Sequence, residues 1–213
     1  VDEGEFFRER AKLLSTRIGS VGIEIARGME YLHSHRIVFR DLKPSNIGFT
    51  KSSRVKIFDF GLAREIVDNT RRLTGNTGSL RYMAPEVNRR EHYGLPADVY
   101  SFGILMWEIS ALHKPFKGMS VDQHAELVIG KGYRPKISVV PGSESLKGLI
   151  QTCWSSTQDK RPSFTEVRRS LADEVEAHRR QEELEEIDRQ RKVAPKTGKL
   201  RMKMMRQRRN TQR

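Results

Sequence analysis

The sequence predicts a mainly α-helical fold that carries one small β-hairpin. Apolar residues recur at spacings of three and four between residues 16 and 35, which is the stripe of a helix packed on a core. A second, largely apolar segment, Val99–Ile109, follows Pro96, a residue that suits the first turn of a helix. Between these helices, two short apolar runs, Ile47–Phe49 and Val55–Phe58, are joined by a polar linker and predict the hairpin.

Further helices are expected in the second half of the chain. Residues 120–129 and 144–154 are bounded by Gly and Pro and have helical character. Ser163 followed by Glu166 has the spacing of a capping box, so a last helix is expected to begin there. That helix is expected to run to about Arg191 through a dense mixture of Glu and Arg.

The net charge of +13 is concentrated at the carboxy-terminal end of the chain. Residues 189–213 contain eleven Lys or Arg and no acidic residue, which leaves residues 1–188 close to neutral. We therefore expect a folded domain over residues 1–188 and a basic, disordered tail over residues 189–213. The tail offers positive charge to acidic partners, a membrane surface or nucleic acid, although it has no aromatic residue for base stacking.

Cysteine content and hydropathy bear on the location of the protein. Cys153 has no second cysteine with which to form an internal disulfide, and this favours a reducing compartment. No apolar run approaches the roughly 18–20 residues needed to cross a bilayer, and the start of the chain is not a signal peptide. We expect a cytoplasmic location, with the nucleus as the alternative.

Three short motifs occur in a fixed order along the chain. They are RDLKPSN at residues 40–46, DFG at residues 59–61 and APE at residues 84–86. Each triplet alone arises often by chance, but the three together in this order form a very specific signal. Over roughly residues 10–175 the chain resembles the carboxy-terminal lobe of the eukaryotic protein kinases, and within them most resembles the tyrosine-kinase-like serine/threonine kinases.

The resemblance implies an ATP- and Mg²⁺-dependent transfer of phosphate to a protein hydroxyl, a reaction that depends on positioned charges. Asp41 would accept or orient the proton of the substrate hydroxyl, and Lys43 would contact ATP and offset charge on the transferring phosphate. Asn46 and Asp59 offer the hard oxygen ligands that suit Mg²⁺. Lys43 and the proline after it follow the serine/threonine pattern, and Ser79 stands where such kinases place a residue that contacts Asp41 and Lys43.

Six further residues match positions that support the site in these kinases: Phe39, Arg40, Phe60, Glu86, Asp98 and Arg161. Asp98 is expected to hydrogen-bond the backbone of the loop that carries Asp41, and Glu86 to form a buried ion pair with Arg161. Phe39 stands where the pattern most often carries His. The resemblance places this ring beneath Phe60, so an aromatic replacement is expected to preserve activity.

Gly48 is a second departure from the pattern of these kinases. They usually carry Leu at this position, where it forms the floor under the adenine ring. Its loss would weaken nucleotide binding by roughly 1–3 kcal/mol unless another group fills the space. Phe49 and a bulky residue of the other lobe are the candidates for this.

The segment from Gly61 to about Leu80 has little periodicity, and we expect a mobile loop there. In kinases of this kind, the arginine at the position of Arg40 often pairs with a phosphorylated residue of this loop. Thr74 and Thr77 are the better placed of its threonines, because a phosphate near Ser79 could order the substrate platform. The alternative is that these threonines are unmodified loop hydroxyls.

The parts of a kinase that grip the nucleotide phosphates do not occur in the sequence. There is no Gly-rich phosphate loop, no strand lysine in the usual context and no paired helix glutamate. We expect this amino-terminal lobe to precede Val1, or the protein to be a natural half-kinase, and residues 1–213 alone to be inactive. The alternative function is a non-catalytic scaffold or interaction module. Such a scaffold has no need of Asp41, Lys43, Asn46 and Asp59 together, so the sequence favours a kinase.

Overall fold

The computed structural model describes residues 17–67, 73 and 75–193 of the chain. The chain divides into two compact units, residues 1–175 and residues 176–213. The predicted fold class is confirmed, because helices dominate and the strands form small antiparallel sheets. Within the described residues, no helix is long and apolar enough to cross a membrane.

Most helices lie where the sequence predicts them, with shifts at their ends, and the short helix over residues 85–88 was not predicted. The described α-helices are α1 (Ile23–Ser34), α2 (Pro85–Asn88), α3 (Pro96–Ala111), α4 (Val121–Gln123), α5 (Glu144–Cys153) and α6 (Phe164–Val193). Residues 17–22 before α1 and residues 124–130 after α4 are wound as π-helix. Such turns are rare and are often found at functional sites.

The strands form two separate two-stranded sheets. They are β1 (Ile37–Val38) paired with β4 (Arg64–Glu65), and β2 (Ile47–Phe49) paired with β3 (Val55–Ile57). The second pair is the predicted hairpin. The first pair was not predicted, because two-residue strands are too short to show a periodicity. It gives order to the start of the segment that the sequence assigns to a mobile loop.

The hairpin brings two site residues to the same end of its ladder. Ile47 pairs with Ile57, and the Phe58 amide extends the ladder by donating to the Asn46 carbonyl oxygen at 3.1 Å. Asn46 precedes β2 and Asp59 follows β3. Because the strands are antiparallel, both residues lie at the open end of the hairpin.

Helix α3 forms the centre of the core. It is mostly apolar, and nearly all of its residues are buried. It packs closely on α5, because Gly103 has no side chain; a Cβ there would lie 2.8 Å from the Cβ of Cys153. One charged residue, Asp98, lies in the first turn of this helix and is fully buried.

Glu86 of α2 and Arg161, which precedes α6, meet as a buried ion pair. The two guanidinium nitrogens of Arg161 donate to the two carboxylate oxygens of Glu86 at 2.6 and 2.8 Å. Arg161 also donates to the carbonyl oxygens of Ser155 and Pro96. The pair therefore ties three segments of the core together and satisfies both charges.

Helix α6 begins with the capping box that the sequence predicts. The Ser163 amide donates to the Glu166 carboxylate at 2.7 Å, and the Glu166 amide donates to the Ser163 hydroxyl at 3.3 Å. In the second unit the described residues 176–193 form an exposed helix, with ion pairs from Arg179 to Glu176 and Glu183. Residues 194–213, which contain most of the predicted basic tail, lie outside the described residues.

Replacing Arg161 by Met should lower the free energy of unfolding by about 3–5 kcal/mol. The reason is that Glu86, only 1% exposed, would keep its charge without a partner. Urea unfolding followed by circular dichroism measures this. Lys131→Met is the matched control, because it breaks an exposed pair with Glu126 and should leave the unfolding midpoint nearly unchanged. A loss below about 1 kcal/mol for Arg161→Met would contradict a structural role for the buried pair.

Candidate active site

A buried carboxylate holds the start of the loop between β1 and β2, residues 39–46. Asp98 Oδ2 accepts the amide hydrogen of Phe39 at 2.7 Å, and Oδ1 accepts that of Arg40 at 2.8 Å. His33 Nε2, on α1, lies 3.0 Å from Oδ2 and donates to it, because an ionised carboxylate can only accept. Three donors therefore stabilise a charge that has no contact with water. Sequence reasoning missed this role of His33, which looks like an ordinary histidine at the end of a helix.

The backbone turns at Arg40, immediately after these bonds. Its φ of 71° lies in the left-handed region, which is uncommon for residues other than Gly. The side chain is held as well, with Nε donating to the Leu62 carbonyl oxygen at 2.5 Å and Nη1 donating to the Tyr93 hydroxyl at 3.2 Å. Asp98 and these two contacts thus fix a strained turn, and strain of this kind is concentrated at functional sites.

Phe39 and Phe60 form the aromatic contact that the resemblance implies. Phe39 is fully buried, and its ring meets that of Phe60 edge to face with centroids 5.3 Å apart. This geometry is favourable for two aromatic rings. The unusual residue at position 39 therefore packs well and leaves the loop intact.

Asp41 is held through both of its carboxylate oxygens. Oδ1 accepts the Ser79 amide hydrogen at 3.0 Å, and Oδ2 accepts from Lys43 Nζ at 2.6 Å and from Asn46 Nδ2 at 3.1 Å. Lys43 Nζ also donates to the Ser79 hydroxyl at 2.8 Å. The carboxylate that the sequence selects as the base is thereby joined to the predicted cation and the predicted platform residue.

The same contacts set the charge of Asp41. Burial alone would raise its pKa, but the hydrogen bonds from Lys43, Ser79 and Asn46 outweigh burial and hold the pKa below its ordinary value. The carboxylate is therefore ionised at neutral pH and can accept a hydrogen bond from a hydroxyl group.

Asn46 and Asp59 offer oxygen atoms at the open end of the hairpin. Asn46 Nδ2 donates to the Asp41 carbonyl oxygen at 2.9 Å as well as to the Asp41 carboxylate, and both partners can only accept. The amide orientation is therefore fixed and leaves Oδ1 for another group. Asp59 is exposed, has a left-handed φ of 65°, and accepts from the Gly61 amide at 3.4 Å.

This oxygen set fits a hard cation. Mg²⁺ usually takes one or two protein oxygens and completes its shell with substrate phosphates and water. In the part of the chain that the structure describes, no group of three or more His, Cys, Asp or Glu side chains could hold a metal ion. Asn46 and Asp59 would therefore hold Mg²⁺ only together with nucleotide oxygens.

Gly78 allows the platform segment to reach the loop, and sequence reasoning missed it. Its φ of 108° favours Gly, and a Cβ there would overlap the carbonyl oxygen of Arg40. Gly78 thus brings the amide of Ser79 within reach of Asp41. A glycine directly before a predicted site residue is the signal that could have found it.

Gly48 is covered by a residue that the sequence did not suggest. A Cβ at Gly48 would lie 3.0 Å from the ring of Phe58, whereas Phe49, one of the two candidates to fill this space, is 62% exposed. The register explains the difference, because Gly48 pairs with Lys56, and Phe58, two residues further on and just after β3, lies on the same face.

The expected phosphorylation sites are only partly described. Thr74 lies outside the described residues. Thr77 lines a cavity of about 10 Å³ together with Arg40 and Tyr93, which is about the space of one water molecule. The pairing of Arg40 with a phosphorylated threonine stays a prediction.

Comparison with known proteins places this geometry in a family. The family model described as protein tyrosine and serine/threonine kinase matches residues 4–171. The serine/threonine/tyrosine-protein kinase HT1 of Arabidopsis thaliana is 41% identical over 149 residues, which are 69% of this chain and 37% of that protein. The serine/threonine-protein kinase VIK of the same plant is 36% identical over 178 residues, 80% of this chain and 40% of that protein.

A probable serine/threonine-protein kinase of Dictyostelium discoideum is 39% identical over 162 residues, 75% of this chain and 12% of that protein. The chain thus spans less than half the length of each of these relatives. The family match covers most of the chain, including the loop, the hairpin and helix α3. The chain therefore belongs to the protein tyrosine and serine/threonine kinase family and carries the carboxy-terminal portion of its catalytic domain.

Proposed function

We propose that this chain supplies the larger lobe of a serine/threonine protein kinase that transfers the γ-phosphate of ATP to a protein hydroxyl. The observation that carries the proposal is the arrangement around Asp41. Its carboxylate is ionised, is held through both oxygens, and lies beside a lysine and a candidate Mg²⁺ ligand. A set of this kind positions groups and charges, which is what phosphoryl transfer requires of a protein.

Each residue of the set has a defined task in this proposal. Asp41 accepts a hydrogen bond from the substrate hydroxyl and orients it, and it takes the proton as the hydroxyl oxygen reacts. Lys43, held between Asp41 and Ser79, keeps a positive charge where the phosphoryl group arrives. When bound, ATP with Mg²⁺ supplies the phosphoryl group and offsets part of its charge. Asn46 and Asp59 would hold that ion through their side-chain oxygens.

The choice of serine or threonine as acceptor rests on the contact between Lys43 and Ser79. The two side chains lie 2.8 Å apart and form one edge of the site beside Asp41. The names of the relatives agree with this choice, although that of HT1 also includes tyrosine. A hydroxyl on a short side chain is therefore the proposed acceptor.

The remaining parts of the proposal concern the rest of the protein. An amino-terminal lobe would grip the phosphates of ATP and cover the base, with the Gly-rich loop and the strand lysine that do not occur in residues 1–213. The basic segment 189–213 would contact acidic partners, a membrane surface or nucleic acid. A cytoplasmic or nuclear location is proposed on the basis of the lone cysteine.

A complete kinase domain that includes this chain should transfer radiolabelled phosphate from ATP to serine- or threonine-containing peptides. Asp41→Asn should lower the rate by at least about 10²-fold, because the amide cannot take the proton. Residues 1–213 alone should show no useful transfer, because positioned contacts to the phosphates are missing.

Circular dichroism and thermal unfolding provide the control, since Asp41→Asn must remain folded for the loss to be chemical. Robust Mg²⁺-dependent transfer by residues 1–213 would disprove the need for a second lobe. An inactive complete domain would favour the scaffold function instead.

Phe39→His in the same complete domain should change the rate by less than about tenfold, because the ring packs and does not contact the reacting groups. Phe39→Ala is the contrasting variant. It removes a fully buried ring and should destabilise the domain by about 3–5 kcal/mol. Initial rates and thermal unfolding of both variants measure this. A thousandfold change in rate for Phe39→His would show that the ring has a direct catalytic role.

A further inference from the structure

A pocket of about 620 Å³ opens directly beside Asp41. We name it the platform pocket, and its lining includes Lys43, Ser79, Arg81, Lys114, Phe116 and His124. Lys43 and Ser79 both hydrogen-bond the carboxylate of Asp41. The platform pocket therefore lies next to the position that the proposed function assigns to the substrate hydroxyl.

Lys43 of the platform pocket is paired with Asp41, whereas two other basic residues of the lining have no acidic partner among the described residues. The guanidinium of Arg81 donates to the carbonyl oxygens of Pro115 and Phe116 at 2.7 and 3.0 Å, which fixes its position and leaves its charge. Over the residues that the structure describes, no ion pair joins Arg81 or Lys114 to a carboxylate. Two cations therefore face the pocket without an anionic partner.

Glu108 is the acidic residue among those that line the pocket, and it is already engaged. Its Oε2 accepts the hydroxyl hydrogen of Tyr82 at 2.5 Å, and Tyr82 is itself buried. Burial and this carboxylate together raise the pKa of Tyr82, so the tyrosine stays a donor. Because one oxygen of Glu108 already accepts from Tyr82, fewer acceptor positions are left for a basic ligand.

His124 is the polar group of the pocket wall that lacks a partner. It is 3% exposed, and neither ring nitrogen has a hydrogen-bond partner among the described residues. Its ring packs edge to face on Phe116, with centroids 5.1 Å apart. Burial, and then the charges of Arg81 and Arg134, lower its pKa, so the ring is neutral and carries one N–H donor.

A buried donor without a partner is costly, and an acceptor that enters the pocket would relieve that cost. The two unpaired cations favour the same kind of ligand. A carboxylate satisfies both requirements, and the apolar side chains of Leu80, Phe116 and Met119 suit the methylene groups that carry it.

We infer that the platform pocket binds an acidic side chain of the substrate, close in sequence to the accepted hydroxyl. The inference rests on the proposed function, since it names the substrate class of the same site. A kinase with this pocket selects serines or threonines in acidic surroundings.

The test is peptide binding by the complete domain, measured as fluorescence anisotropy. The acceptor is replaced by Ala, and a single Glu, Gln or Lys is placed in turn at each of the three positions on either side. At one position at least, the Glu peptide should bind about tenfold more tightly than the Gln peptide, and the Lys peptide less tightly than either. Because no phosphate is transferred, this outcome does not depend on activity.

Variants of the pocket locate the effect. Lys114→Met and His124→Phe should each reduce the preference for Glu over Gln to about threefold or less. Lys117→Met is the matched control, because it removes the same charge three residues away and outside the pocket lining, and it should keep the preference. If His124→Phe lowers thermal stability, the exposed Lys114→Met decides the result alone.

Equal binding of Glu and Gln at every position would overturn the inference. Tighter binding of Lys would overturn it too and would show that Glu108 dominates the pocket. The inference is also overturned if no peptide binds, or if Lys114→Met keeps the preference for Glu over Gln. Phosphorylation of serine versions of the peptides tests the proposed function separately: transfer without an acidic preference rejects only the inference.

Discussion

A single buried carboxylate organises the part of the molecule that performs the proposed chemistry. Asp98 has no contact with water, and three donors from two other segments converge on it. A charge in such a place is stable only while its donors stay in position, because losing one of them leaves the carboxylate undersolvated. The core therefore depends on the same bonds that shape the loop.

Those bonds explain how a strained turn persists at Arg40. The left-handed conformation is unfavourable for a residue with a side chain, and it is retained because Asp98 holds the amide on one side while Gly78 packs against the carbonyl on the other. This turn also places the carboxylate of Asp41 within hydrogen-bonding distance of Ser79 and Lys43. Helix α3 and the platform segment thus both contact the loop, the helix through Asp98 and the platform segment through Ser79.

Much of this arrangement could be predicted from the sequence. The apolar pattern located α3 and the hairpin, and the Ser163–Glu166 spacing located the start of α6. The order of the three motifs identified the loop that carries Asp41, Lys43 and Asn46 as the candidate active site. These features are local, so a short stretch of residues contains the whole signal.

The rest depends on contacts between distant segments. His33 reaches Asp98 across 65 residues of sequence, and nothing in its own helix distinguishes it from an ordinary terminal histidine. Phe58 covers Gly48 because of strand register, which the sequence leaves open. Neither ring nitrogen of His124 has a hydrogen-bond partner among the described residues. This too depends on how distant segments pack around the ring, so the sequence alone does not show it.

The central claim is that Asp98 holds the backbone of the loop through the amides of Phe39 and Arg40. Amide hydrogen exchange of the chain, followed by nuclear magnetic resonance, tests it most directly when Asp98 is replaced by Asn. The amide of Asn has one acceptor oxygen where the carboxylate has two, so at least one of the two backbone amides loses its partner. We expect about 10- to 100-fold faster exchange at Phe39, Arg40 or both, with slow exchange retained in the middle of α3. Unchanged exchange at both amides would contradict it.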